Sequence, residues 1–282
     1  MKLKQTNSKI FIPGRLGIEK ALARTTHLAI GAHQDDLEIM AIDGIMQCFQ
    51  RKDKWFTGVV VTDGRGSPRS GLYADYSDEE MRAIRIIEQE KAARIGDYSA
   101  QIFLDYPSSA VKDSDNKDPV QDLENIIRAT SPEVIYTHNL ADKHPTHIGT
   151  AVKTIQAVRN LNSWERPKKL YGCEVWRALD WMMDDEKIAF DCSPQANLQL
   201  ALLGVFDSQV SGGKRYDLAT MGRRIANATY FASHGTDETT GLVYAMDLTP
   251  LIENPNMDVE AYIQGFISRF AKDVKTLINS VL

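Results

Sequence analysis

Residues 26–38 read THLAIGAHQDDLE. The first six are a short apolar run closed by Gly31, the pattern of a strand buried on both faces of a parallel sheet. The next residues turn abruptly polar, and a helix is predicted over 36–51. There Ile39, Met40, Ile42, Ile45, Met46 and Phe49 recur at helical spacing. A buried strand, a polar turn and an amphipathic helix in succession form the repeating unit of an α/β sheet.

The same unit recurs downstream. Residues 56–61, FTGVVV, read as a second buried strand and run into the glycine- and serine-rich loop TDGRGSPRSG. A helix is predicted over 77–96, because Ser77 and Glu80 have capping-box spacing and Gly96 supplies the stop. Strands are expected at 101–104 and 133–137. Helices are expected at 118–129, with Pro119 in the first turn, and at 146–160. This alternation predicts an α/β fold, a Rossmann-like, mostly parallel sheet with helices on both faces.

Beyond Pro167 the pattern is less regular. Strands are expected at 169–176 and 188–190, helices at 193–205 and 213–232, an irregular stretch at 235–257 and a closing amphipathic helix at 259–282. With no repeat and no linker, residues 1–282 read as a single domain. Its core spans about 20–165, and a C-terminal cap or elaboration spans about 166–282.

Composition narrows the function classes. The 282 residues are 43% hydrophobic and 25% charged, with a formal net charge of −5, which suits an ordinary globular enzyme and argues against nucleic acid or anionic membrane as a partner. No apolar run reaches the length of a membrane span or a secretory signal. Cys48, Cys173 and Cys192 are odd in number and widely spaced, a poor disulfide framework that fits a reducing cytoplasm. Oligomeric state stays open, with a homo-oligomer allowed.

In open parallel sheets ligands bind at the carboxyl ends of the strands, and two polar clusters fall at such ends. His33, Asp35 and Asp36 follow the first strand. His138, Asp142, His144 and His147 follow the strand at 133–137, and three of the chain's six histidines lie in those ten residues. Imidazole and carboxylate are zinc ligands, and side chains three apart on a turn, such as His33 with Asp36 or His144 with His147, can converge on one ion. Two histidines with one carboxylate make a catalytic three-ligand set, which also suits ferrous iron. Asp35 would then stand beside the metal as a general base, with one histidine left to serve an oxyanion or a leaving amine. The plain alternative for Asp35 and Asp36 is an acidic first turn that complements the helix dipole.

At these clusters, AHQDDLE and DKHPTH, the chain resembles the PIG-L/LmbE-like superfamily of zinc-dependent N-deacetylases, whose signatures are an AHPDDE segment and a later HPDH-type segment preceded by aspartate. The resemblance covers about residues 26–150. It continues in VVVTDGRG, in the helix carrying Arg85, Glu88 and Gly96, and in Asp207-Ser208-Gln209. It implies a metal-dependent hydrolase that removes an N-acetyl or other N-acyl group from an amino sugar, such as an N-acetylglucosamine glycoside. It implies His33, Asp36 and His147 as metal ligands for Zn2+, with Fe2+ as the alternative. It implies Asp35 as the general base, His144 as oxyanion stabiliser or acid, Asp142 as the residue orienting His144, and His138 as support. Gln34, Leu37 and Thr146 depart from the family pattern at positions that are not proposed ligands.

Substrate contacts are sought in Arg65 and Arg69 of the glycine loop and in His234, with Trp176, Trp181 and Tyr171 as candidates to stack on a sugar face. The competing readings are an amidase acting on a larger amide conjugate and a non-catalytic sugar-binding protein. The second has no use for a base and an acid beside the ligand cluster.

Overall fold

A computed structural model describes residues 1–282. In chain order the elements are β1 (Lys9–Phe11), α1 (Ile18–Ala23), β2 (His27–Gly31), α2 (Asp36–Met40), α3 (Ile42–Cys48), β3 (Phe56–Thr62), α4 (Asp78–Ile95) and β4 (Ala100–Tyr106). Next come α5 (Ser108–Lys112), α6 (Asp118–Thr130), β5 (Val134–His138), α7 (Pro145–Arg159), β6 (Lys169–Cys173) and β7 (Lys187–Asp191). The chain closes with α8 (Ala196–Gly204), α9 (Asp207–Val210), α10 (Tyr216–Thr229), β8 (Leu242–Asp247), α11 (Thr249–Glu253) and α12 (Val259–Val281).

The eight strands form one sheet in the order β1-β4-β3-β2-β5-β6-β8-β7. The five strands β4-β3-β2-β5-β6 are parallel, while β1 pairs antiparallel with β4 at one edge, and at the other β8 pairs antiparallel with β6 and β7 with β8. Alternation along the strands builds two cores. In β2, Leu28 and Ile30 join the core under α6 and α7, whereas Ala29 joins the core under α2, α3, α4 and α8. In β3, Val59 and Val61 face the first core and Val60 the second. A strand buried on both faces must be apolar at consecutive positions, which is why these strands read as unbroken runs. From β2 the chain winds outward through β3 and β4, and then returns to the other side of β2 as β5. The boundary between β2 and β5 is therefore the topological switch point, where such sheets bind ligands.

Local chemistry sets several ends. The Ser77 side chain accepts from the Glu80 backbone N–H, and the Glu80 carboxylate accepts in return from the Ser77 N–H, so α4 begins with a complete capping box. Pro145 opens α7 at a position where the missing N–H has no intrahelical partner anyway.

Two expectations need correction. The helix expected over 36–51 is broken at Ala41 (φ −108°, ψ 26°) into α2 and α3. The buried Arg224 guanidinium of α10 donates to Glu38 O (2.8 Å) and Ile39 O (3.2 Å), taking carbonyls that a continuous helix would use for its next turn. The stretch 235–257 contains β8, whose residues LVYAM are buried in the sheet, and α11. The C-terminal elaboration after residue 165 adds β6, β8 and β7 to the same sheet. No helix is long and apolar enough to cross a membrane, and the three cysteines are free and buried.

Candidate metal and hydrolase site

The loop after β2 delivers His33, Asp35 and Asp36 to the switch point. Asp35 caps α2 in the left-handed region (φ 79°), a conformation that costs a non-glycine residue about 1–3 kcal/mol and concentrates at functional sites. The turn separates the two neighbouring carboxylates. The Asp36 Oδ2 lies 3.4 Å from His33 Nδ1, 3.4 Å from His138 Nε2 and 3.5 Å from His147 Nε2. Asp35 instead meets α4, where Oδ2 accepts from Arg85 Nη2 at 3.1 Å and its backbone N–H donates to Gln89 Oε1 at 3.2 Å.

The end of β5 supplies His138, the loop after it His144, and the first turn of α7 His147. His33 Nδ1 and His147 Nε2 approach to 3.2 Å, and one atom from each of His33, Asp36 and His147 lies within 4.8 Å of the others. His138, Asp142 and His147 form an overlapping group, but its donor chemistry is less suitable. His138 Nε2 already accepts the Ala32 backbone N–H at 2.9 Å, which occupies its lone pair and fixes the proton on Nδ1. The set of His33, Asp36 and His147 fits a divalent cation, with two imidazole nitrogens and one carboxylate within reach of a common point.

Electrostatics agree with that assignment. Burial, reinforced by neighbouring His138, brings the His147 imidazole down to about 4 despite the pull of Asp36, so the ring is neutral and its nitrogen is available. Burial pushes the Asp36 carboxyl up, but His147 and His138 outweigh it and hold the group well below its usual range. Asp35 moves the opposite way. Burial, only partly offset by Arg85, raises it well above an ordinary aspartate, with Asp36 and Glu38 adding to the rise.

Asp142 does not contact the ring of His144. Its Oδ2 accepts from His147 Nδ1 at 3.4 Å and from the Trp176 N–H at 3.1 Å, and its Oδ1 accepts the backbone N–H of His144 at 3.0 Å. The carboxylate therefore backs the ring of His147, not that of His144. The His144 ring stands over the cluster, 5.1 Å between centroids from His33 and 4.6 Å from His147, and its Nδ1 is buried without a partner.

A cavity of about 400 Å³ opens over these groups and is lined by His33, Asp35, Asp36, Arg85, Thr146 and His144 on its reactive side. Its outer wall includes Ser67, Ser108, Lys112, Gln209, Lys214 and Tyr216. These come from the loop after β3, from α5 and from the segment around α9 and α10, so most of the wall is invisible to local motif reading. Gln209 could have been found from the Asp207-Ser208-Gln209 match. Glu88 accepts Ser208 N and Oγ, each at 2.6 Å, and pins that element beside the cavity.

Arg65, Arg69 and His234 are not brought into the cavity. Arg65 pairs with Asp63 and Glu79, Arg69 with Asp78 and two backbone carbonyls, and His234 lies in an exposed stretch before β8. Of the three aromatics singled out, only Trp176 lines the cavity. Trp181 packs on Phe270, and Tyr171 on Tyr136 and Phe190.

The PIG-L family, described as GlcNAc-PI de-N-acetylase, matches from Leu28 in β2 to Val158 in α7, spanning both loops of the cluster. A search among curated proteins finds no match to the sequence. Solved structures share the fold. An N,N'-diacetylchitobiose deacetylase from Pyrococcus horikoshii is 17% identical, with a TM-score of 0.62 over 84% of this chain and 88% of that one. A conserved protein from Thermus thermophilus is 16% identical, with a TM-score of 0.61 over 83% of this chain and 100% of that one. A 4-carboxy-2-hydroxymuconate hydratase from Pseudomonas putida is 14% identical, with a TM-score of 0.58 over 79% and 96%.

Proposed function

We propose that this protein, whose residues 28–158 match the PIG-L family, is a metal-dependent hydrolase that removes an N-acyl group from an amino sugar or related glycoside. Because a hydratase shares the fold, the reading rests on residues. The observation that carries it is the division of labour at the switch point. His33, Asp36 and His147 converge on one another, while Asp35, one residue from a ligand, is turned away from that set toward Arg85. A binding protein has no use for that separation.

The three converging side chains would hold a zinc ion, with ferrous iron as the alternative, and the ion when bound would polarise the substrate carbonyl and lower the pKa of water. Asp35 would take the proton of the attacking water, a task suited to a buried carboxyl whose proton affinity is raised. His144, with Nδ1 unpartnered above the cluster, would donate to the developing oxyanion and then supply the proton that lets the amine leave. The hydroxyls, amide and lysines of the outer wall suit a polar, hydroxyl-bearing sugar, and Trp176 offers it a flat face.

The test is amine release from a panel of N-acyl glucosamines by protein loaded with metal and by protein stripped with chelator, with Asp35→Asn in parallel. We expect turnover only with metal, and a loss of about 10²–10⁴-fold in Asp35→Asn with its metal retained. Equal turnover in Asp35→Asn, or no hydrolysis of any N-acyl sugar by loaded protein, would overturn the reading.

A further inference from the structure

A second cavity of about 130 Å³ adjoins the first and shares Ile39, Val175, Trp176 and Tyr216 with it. The remaining lining comes from α10, with Ala219 at an exposed rim, Thr220 buried in the wall, and Arg223 turned to donate to the Val175 carbonyl. Where the first cavity is polar, this one is mostly apolar.

Its position follows from the reacting groups. The carbonyl carbon of an amide attacked here must lie between the ligand cluster and His144. Ile39 is one helical turn beyond the ligand Asp36 on α2. Trp176 stacks against His144, 6.4 Å between centroids at 23°, and its backbone N–H is tied to Asp142. One residue from the metal side of the carbonyl and one from its oxyanion side thus both form walls of the apolar cavity. A substituent leaving the carbonyl carbon away from the nitrogen would meet that opening, while the amine side would face Ser67, Ser108 and Lys112.

We propose that the acyl group removed is longer than acetyl, a straight chain of about five or six carbons that runs from the reacting carbonyl into the apolar cavity. The inference rests on the N-deacylase reading above. The volume admits about four groups of the ~30 Å³ that a water-sized unit occupies, added to the carbonyl carbon and its first methylene. In the reaction water oxygen bonds to the carbonyl carbon and the C–N bond breaks. A short-chain carboxylic acid leaves, and the amino sugar takes the proton that water gave up.

The experiment measures kcat/KM of metal-loaded protein for N-acyl glucosamines from acetyl to octanoyl. Each methylene that enters the cavity should raise kcat/KM about four-fold, the worth of ~0.8 kcal/mol of burial, with the optimum at pentanoyl or hexanoyl. Ala219→Phe at the rim and Thr220→Leu in the wall each fill the cavity. Either should collapse the hexanoyl-to-acetyl ratio toward one, with melting temperature and metal content checked alongside. Because Ala219 is exposed, its substitution leaves the core intact should Thr220→Leu disturb α10. An acetyl optimum or a flat chain-length profile in the wild type overturns the inference and leaves the deacylase reading standing, as does an undiminished ratio in folded variants. Hydrolysis of no N-acyl sugar at any length overturns both.

Discussion

Asp142→Asn separates two roles that the sequence leaves entangled. A carboxylate orienting His144 would affect the acid and leave metal binding alone. The structure instead sets Asp142 Oδ2 behind His147 Nδ1, with its two oxygens together accepting three N–H groups. An asparagine of the same shape has one oxygen and a donor where the second stood, so at least one of the three N–H groups faces another donor, and the charge behind His147 is lost. Hydrogen bonds to a charged group are worth about 1.5–3 kcal/mol, equivalent to roughly 10–100-fold in binding, the range seen when a residue backing a ligand histidine is removed. Metal affinity measured by competition with a chromogenic chelator should weaken by that factor. The melting temperature of the metal-free protein reports on the fold, and turnover at saturating metal should recover most of its wild-type value. A dissociation constant within two-fold of wild type, with turnover down about 100-fold, would refute the argument and return Asp142 to His144.

Three further outcomes follow from particular contacts. His144→Ala should keep its metal and lose about 10²-fold or more in turnover, the scale of removing an oxyanion donor; near-normal turnover on a substrate the wild type accepts would exclude a catalytic role. Arg224→Met should lower the melting temperature by several degrees, because it strips the donor from the Glu38 and Ile39 carbonyls and from Gln199 Oε1 at about 1–3 kcal/mol for a buried acceptor left unpaired; an unchanged melting curve would show that α2 and α3 break at Ala41 for another reason. Gly64→Ala should also destabilise, by about 1–2 kcal/mol from its left-handed backbone alone, since Gly64 has φ +68° and an added Cβ would run into the Gln34 side-chain oxygen; the double variant with Gln34→Ala should recover part of the loss in thermal unfolding, and no recovery would mean that backbone strain carries all of it.

The difference between what could be read in advance and what could not is one of range along the chain. Strands β2, β3 and β5 and the helices between them were legible because a doubly covered strand must be apolar at every position and a covering helix must repeat at its own period. The residues proposed as ligands could be picked out for a related reason, since each half of the set sits in a single turn after a strand. The split at Ala41 was not, because Arg224, 186 positions away from Glu38, draws off its carbonyl. The cavity wall has the same character. It joins Ser108 and Lys112 after β4 to Gln209, Lys214 and Tyr216 around α9 and α10, and no periodicity links those positions. Arg65 and Arg69 show the converse error. They sit in the glycine loop where a substrate contact is sought, yet Asp63 lies two residues before Arg65, and Asp78 and Glu79 open the next helix. An arginine with carboxylates that close in sequence is neutralised locally, and the guanidinium that reaches Asp35 is Arg85, carried in by helix α4 from fifty residues away.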